Sequence, residues 1–372
     1  GYWERVRRFT AGAPTTLDMI VPEAYLGHAG MEPSAASVRV RMLEYLRGGV
    51  FATVRDSMVY LERTISGGAV RRGLVGAIDL ETYDFEPGAS APVRASERTV
   101  KERLPARLDV RRLAPLELPH VLAFIGDRNR RVIERFSDKT DALELLYDFE
   151  LTEGGGRVRG WRVAGDDARA VTRDIGTLGR GGGDLPAMVI GDGNHSLAAA
   201  KLHWDEIKHG AGANHPARYA LVEINNIYDD AIAIHAIHRA VFGADPEALL
   251  GALKKALPPS VPDGAAFRWV HARGEGAFSP RVGSAGELFE LIQDFLDGYT
   301  AENGCEMDYI HGEGAVRALA AREGAISFIM PAMQKQDVFE TVAKHGCLPK
   351  KSFSVGRARD KRYYLECREI GG

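Results

Sequence analysis

The densest chemistry in the chain lies in one run, Val189-Ile190-Gly191-Asp192-Gly193-Asn194-His195-Ser196, followed by Leu197-Ala198-Ala199-Ala200-Lys201. An apolar stretch ends in two glycines one residue apart, and an alanine-rich segment begins at once. Gly191 and Gly193 permit a tight turn and a close approach of backbone to ligand. The first N–H groups of a helix lack intrahelical partners and sit at its positive pole, which suits phosphate. Asp192, Asn194, His195 and Ser196 add a carboxylate, an amide, an imidazole and a hydroxyl to the same turn. A helix cap needs only one such side chain, worth about 1 kcal/mol. The surplus argues for ligand chemistry. A dinucleotide fingerprint is excluded because its third glycine is missing, and a P-loop because no Gly-Lys-Ser/Thr follows.

Other residues offer weaker signals. Glu97, in Ser96-Glu97-Arg98-Thr99, has the chemistry of a general base that takes a proton from an attacking hydroxyl; equally, it suits the first turn of a helix capped by Ser96. Arg94, Arg98, Lys101 and Arg103 could meet phosphate or carboxylate groups. His238 and Arg239 could contact substrate or phosphate, or could simply pack. Lys350 and Lys351, after the rigid turn at Pro349, could reach a phosphate or lie solvated. No HExxH or other ligand spacing joins His235 or His238 to His195 or His215, so no metal site is assigned. A nucleophilic triad has no support, because there is no GxSxG motif.

The elements that must position these residues read as a mixture of strands and helices. Residues 74–80, 187–190, 219–227 and 325–330 are apolar and strand-like, as are 362–367. Residues 196–208, 287–296 and 337–345 have helical spacing. Glycines at 154–156 and 181–183 mark loops. The order strand, helix, strand predicts an α/β or α+β fold, a mixed sheet with flanking helices. Prolines 246, 258, 259 and 262 suggest a seam near 243–258. The expected lobes are 1–150 with a basic segment, 151–245 with the glycine turn, and 246–372, unless the whole forms one compact unit.

Composition bounds the rest. The chain is 45% hydrophobic and 27% charged, with formal net charge -3, which excludes wholesale disorder. No run approaches the roughly 18 apolar residues of a membrane span, and no secretion signal opens the chain. Cys305, Cys347 and Cys367 form no close pair, so a reduced, cytoplasmic setting is expected. Charge is uneven, with local balances of +5 over 94–131 and +6 over 344–368. Two basic stretches in an otherwise acidic chain suggest locally bound anions rather than a coat on nucleic acid. Nucleic-acid binding is not favoured; a small-molecule partner is, and a homo-oligomer is compatible.

The Gly-Asp-Gly-Asn-His-Ser-Leu run resembles the signature of a bacterial and archaeal family known as domain of unknown function 1015. The resemblance extends through Arg72-Gly73-Leu74-Val75-Gly76, Arg94-Ala95-Ser96-Glu97-Arg98-Thr99 and Ala114-Pro115-Leu116-Glu117-Leu118-Pro119-His120. It continues through His215-Pro216-Ala217-Arg218-Tyr219, Ile237-His238-Arg239 and Leu348-Pro349-Lys350-Lys351-Ser352-Phe353. Members of that family carry a further stretch before the Tyr-Trp-Glu that stands here at 2–4, which implies a clipped chain. The Asp-Gly-Asn-His turn also resembles the Asp-Gly-His-Thr-Arg turn of the ParB/sulfiredoxin-like superfamily, which includes ADP- and ATP-dependent kinases of free serine. That likeness covers about six residues. It implies a turn that holds nucleotide phosphates and a carboxylate elsewhere that activates the acceptor hydroxyl. The superfamily's arginine is absent, since Leu197 and Ala198 follow Ser196, which leaves the phosphate contact to another cation.

Together these readings predict a phosphotransferase using ATP or ADP with Mg²⁺ and a hydroxylated metabolite such as free serine. Glu97 is the expected base; Asp192 holds metal or orients His195. Gly191, Gly193, Asn194, Ser196, Lys350 and Lys351 bind the cofactor; Arg94, His238 and Arg239 bind the substrate. The alternative is a non-catalytic nucleotide- or metabolite-binding regulator, linked to DNA in the manner of some ParB-fold proteins.

Overall fold

The computed structural model describes residues 2–26, 32–179, 184–257, 266–357, 360–361 and 365–371. Of the expected features, the loop at 181–183, three of the seam prolines (258, 259 and 262) and strand residues 362–364 lie outside these residues. The chain forms two compact units. One comprises residues 1–95, 99–232 and 357–372, the other residues 96–98 and 233–356.

The first unit is built on a nine-stranded mixed sheet. Its strands are β1 (Ser57–Thr64), β2 (Val70–Asp79), β3 (Tyr83–Asp84), β4 (Val93–Ala95), β6 (Leu122–Ile125), β7 (Leu145–Glu150), β8 (Arg157–Ala164), β9 (Met188–Asp192) and β10 (Tyr219–Asn226). A short β5 (Leu116–Glu117) pairs instead with β17 (Arg368–Glu369). The sheet order is β3-β4-β9-β6-β10-β2-β1-β8-β7, so strands on both sides of residue 150 share one sheet. The glycines at 154–156 join β7 to β8 as expected of a loop. At the other end of the chain, residues 365–367 carry no strand, contrary to the expectation for 362–367; the pairing begins only at Arg368, whose backbone meets Glu117. Helices α1 (Tyr2–Phe9), α2 (Ala35–Arg47), α3 (Leu104–Leu113), α4 (Gly165–Leu178) and α5 (Asn194–Ile207) belong to this unit.

Hydrophobic burial explains why these segments settle as they do. Val189 and Ile190 of β9 and Leu122 to Ile125 of β6 are buried, as near-continuous apolar runs in a central sheet should be. Ala198, Ala199 and Ala200 of α5 are likewise buried. Their small side chains and high helix propensity allow a close approach to neighbouring elements.

The second unit carries an antiparallel sheet of β11 (Ile234–Phe242), β12 (Phe267–His271), β13 (Gly274–Phe278), β14 (Glu306–His311), β15 (Ala325–Ile329) and β16 (Phe353–Val355). Helices α6 (Pro246–Ala256), α7 (Ala285–Asn303), α8 (Glu313–Ala320) and α9 (Asp337–His345) complete it. Helix α9 has the bounds expected from its spacing. Helix α7 starts at a Ser284 cap that accepts the Glu287 N–H and ends at left-handed Gly304. Phe267, Phe289, Ile292 and Phe328 fill the core of this unit.

Candidate functional site

In the first unit, β9 runs straight into α5 through Gly193, whose φ is +79°. Among the described residues no side chain hydrogen-bonds at the cap position of this helix, which is Gly193; its first turn lies at the positive pole. Packing accounts for both glycines. A Cβ on Gly191 would lie 2.0 Å from the Phe124 ring, and one on Gly193 would lie 2.1 Å from the carbonyl oxygen of His120. Gly193→Ala is therefore expected to destabilise the chain by at least about 1–3 kcal/mol, the range for a residue forced into a sparsely populated backbone region. Denaturant unfolding would read this, and a loss below about half a kcal/mol would contradict it.

The antiparallel register of β6 and β9 sets Leu122 opposite Asp192. It thereby brings His120, two residues earlier, beside the turn. His120 Nε2 lies 3.5 Å from Asp192 Oδ2, and Lys361 Nζ lies 2.6 Å from the same oxygen. Asp192 Oδ1 accepts the N–H of Gly193 at 3.0 Å. Burial pushes the Asp192 carboxyl up, but Lys361, His120 and the Gly193 N–H outweigh it and hold it below its ordinary value. His195 Nε2 accepts the Val100 N–H at 3.1 Å.

Two buried arginines hold the backbone at Lys361. Arg63 and Arg71 face each other across β1 and β2. Arg63 donates to the carbonyls of Asp360 and Lys361, and Arg71 Nη1 donates to that of Asp360 at 2.6 Å. The Asp360 carboxylate accepts the Ser66 N–H at 2.9 Å and the Ser66 hydroxyl at 2.5 Å. Arg71 also forms a 3.0 Å ion pair with Glu223, both side chains being almost wholly buried. His120 enters the sequence reading only within the Ala114–His120 run and Lys361 only within the basic stretch 344–368, neither as a site residue.

Arg94, expected to bind substrate, is buried. It donates to the carbonyls of Ser90 and Ala91 and pairs with Asp184 at 2.9 Å. The basic stretch as a whole is largely neutralised within the protein. Arg107 pairs with Glu23, Arg111 with Glu117, Arg112 with Glu206 and Arg130 with Asp230. The anions expected there are to this extent the chain's own carboxylates.

The second unit brings together Glu97, Arg239, Lys350 and Lys351. Glu97 Oε2 accepts the Lys351 N–H at 3.1 Å, and Oε1 accepts that of Phe353 at 3.3 Å. Lys351 has φ +62°, which curls the loop so that these N–H groups face the carboxylate. Burial raises the Glu97 carboxyl above its ordinary value, against the pull of those two N–H groups. Arg239 is fully buried on β11. Its guanidinium donates to Gln293 Oε1 and to the carbonyl of Ile237 and lies over the Tyr309 ring. Burial lowers its pKa to about 10, against Tyr309, Glu97 and Asp297. The Lys350 ammonium lies 5.8 Å from the centre of the same Tyr309 ring.

His238 is also buried; its Nδ1 accepts the Met330 N–H at 3.2 Å. Burial holds both His238 and, in the first unit, His203 below the ordinary histidine value of 6.5. The unfolded chain therefore binds more protons than the native one as pH falls through 6.5. Their contribution to stability is complete above that pH and declines below it, towards the native pKa values. Urea unfolding is expected to show lower stability at about pH 5 than at about pH 8, a difference reduced by His238→Asn. Equal pH slopes for parent and variant would contradict the role assigned to His238.

Among the described residues, no group of three or more His, Cys, Asp or Glu could hold a metal ion. No helix there is long and apolar enough to cross a membrane.

This mixed α/β fold and its strand-turn-helix site belong to a known lineage. The chain is a member of the family described as protein of unknown function (DUF1015), whose model matches residues 1–341. No curated protein matches the chain. Among solved structures, a free serine kinase variant in complex with ADP is similar at TM-score 0.46 and 15% identity, over 80% of this chain and 92% of that one. A conserved hypothetical protein from Pyrococcus furiosus is similar at TM-score 0.42 and 14% identity, over 80% and 95%. SbnI from Staphylococcus aureus, truncated at its C-terminus, is similar at TM-score 0.43 and 10% identity, over 80% and 87%.

Proposed function

We propose that the protein transfers a phosphoryl group from ATP or ADP to a small hydroxylated metabolite, free serine or a relative of it. The observation that carries this reading is the glycine-capped start of α5 beside an ionised Asp192 that already holds Lys361 and His120. Phosphoryl transfer asks a protein mainly to position phosphates and neutralise their charge. A helix pole with a lysine beside it meets that demand. The donor set also suits a Mg²⁺ carried on nucleotide phosphates, which needs only one or two protein carboxylates; Asp192 would be one. Bound there, the ion would neutralise charge on the transferred group. The acceptor class follows from the likeness of the turn to that of free-serine kinases.

Glu97 is the base in this reading. Its carboxylate accepts main-chain N–H groups of the 351–353 loop, and its raised pKa favours taking a proton. Glu97→Gln would keep the shape but remove the base and set an amide against an N–H donor. Turnover is expected to fall by about 10²–10⁴-fold, the usual contribution of general-base catalysis. Activity within a few-fold of the parent would remove Glu97 from the reaction.

The direct test is phosphorus NMR of the protein with ATP or ADP, Mg²⁺ and a pool of hydroxylated amino acids and sugars. A new phosphomonoester signal that depends on one acceptor is the expected result. Nucleotide that binds without being consumed would overturn the kinase reading in favour of a nucleotide-binding regulator.

A further inference from the structure

Beside α5, wholly within the first unit, lies a cavity of about 190 Å³. Its walls are largely apolar, with Met19, Met42, Leu116 and Leu118 among them; Ser196, in the first turn of α5, and His120, the neighbour of Asp192, also line it. The chamber is therefore continuous in residues with the turn. Its charged side chains are paired with one another, although Arg111 Nε and Nη2 make no hydrogen bond among the described residues. Arg111 pairs with Glu117 at 2.7 Å, Glu117 also accepts the Leu221 N–H and Arg368, and Arg107 pairs with Glu23.

We infer that this cavity receives the heteroaromatic base of a nucleotide whose phosphate lies at the start of α5. The inference rests on the phosphate reading of that turn. Three physical points select the base. Pockets for whole drug-sized ligands hold about 300–1,000 Å³, whereas this one holds about 190 Å³, enough for a ring system and not for an entire nucleotide. Its paired charges offer no net charge to a second anion or to a zwitterion such as free serine. Finally, two methionine thioethers are soft, adaptable surfaces that pack well on aromatic rings.

The test uses the full chain with ¹³C-methyl methionine and ¹⁵N amides. The probes are AMP, GMP, CMP and UMP, their nucleosides, and inorganic phosphate. At least one nucleotide is expected to shift the Met19 and Met42 methyl signals while leaving Met307 and Met333 unmoved. Its nucleoside should shift the same two methyls more weakly. Val110→Phe, at a partly exposed wall position of the cavity, should weaken nucleotide binding at least tenfold while phosphate still shifts the Gly193 and Ser196 amides. Ala199→Leu is a second occluding variant should the first fail to fold. If nucleotide and phosphate move the turn amides and the methionines stay silent, the base pocket is overturned and the phosphate reading stands. If nucleosides move the methionines and no phosphate compound moves the turn, the pocket stands and the phosphate reading falls. Silence at both places overturns both.

Discussion

Asp192→Asn is expected to lower turnover by on the order of 10²–10³-fold, the usual effect of removing one preorganised electrostatic group from an active site. The substitution preserves shape and the acceptor for the Gly193 N–H, so the turn should persist. It removes the negative charge that holds Lys361 Nζ at 2.6 Å and draws His120 close. Lys361→Met should cause a comparable loss, and the double variant should lose little more than either single one, because the two side chains act as a pair. Asp192 titrates below its ordinary value of 3.8, so its contribution to stability is present above that pH and is lost as pH falls through the native pKa. At neutral pH the asparagine variant should therefore be modestly less stable yet folded, which circular dichroism and urea unfolding would show. Parental turnover in a folded variant would end the role given to Asp192.

Arg71→Met is expected to produce the largest stability loss, about 3–5 kcal/mol, the cost of leaving one member of a buried ion pair alone. Glu223 is almost wholly buried and sits 3.0 Å from the Arg71 guanidinium, so truncating the arginine removes that cation and leaves the carboxylate with the Asn225 amide in a low-dielectric interior. Replacing both residues, Arg71→Met with Glu223→Leu, should recover most of the loss, since apolar replacements of a buried pair are often neutral or better. The two variants differ in a second respect from a simple core defect. Arg71 also binds the Asp360 carbonyl, so the double variant, though stable, should still hold Lys361 loosely and bind phosphate more weakly. A double variant no more stable than Arg71→Met would refute the pairing argument.

The turn at 191–196 was legible because its signals are local. An apolar strand, two glycines and an alanine run lie within a dozen residues, and short-range propensity decides each step. Helix α9 and strand β15 were legible for the same reason. The rest of the site depends on long-range register. His120 reaches Asp192 through the pairing of β6 with β9, and Lys361 arrives 169 positions later in the chain. No spacing rule links such positions. The basic stretch at 94–131 misled for a related reason, since its arginines meet Glu23, Asp184, Glu206 and Asp230, acids remote in sequence. Arg94 in particular looks like a ligand contact in one dimension and is a buried anchor in three. Residues 365–367 show the converse error, strand-like composition without a partner strand.

The chain leaves the first unit after Ile232, builds the second from 233 to 356, and returns with residues 357–372. A ribosome emits residues in that same order. During synthesis the strands and helices of the first unit emerge early, but Arg63 and Arg71 have no Asp360 to clasp until more than a hundred further residues have been made. Asp192 likewise waits for Lys361, and β5 for β17. The nascent first unit thus carries a buried glutamate-arginine pair and an acidic turn whose stabilising cation has not yet been made. A chain released early, before residue 360, would keep every motif recognisable in its sequence and lack the clasp that completes them.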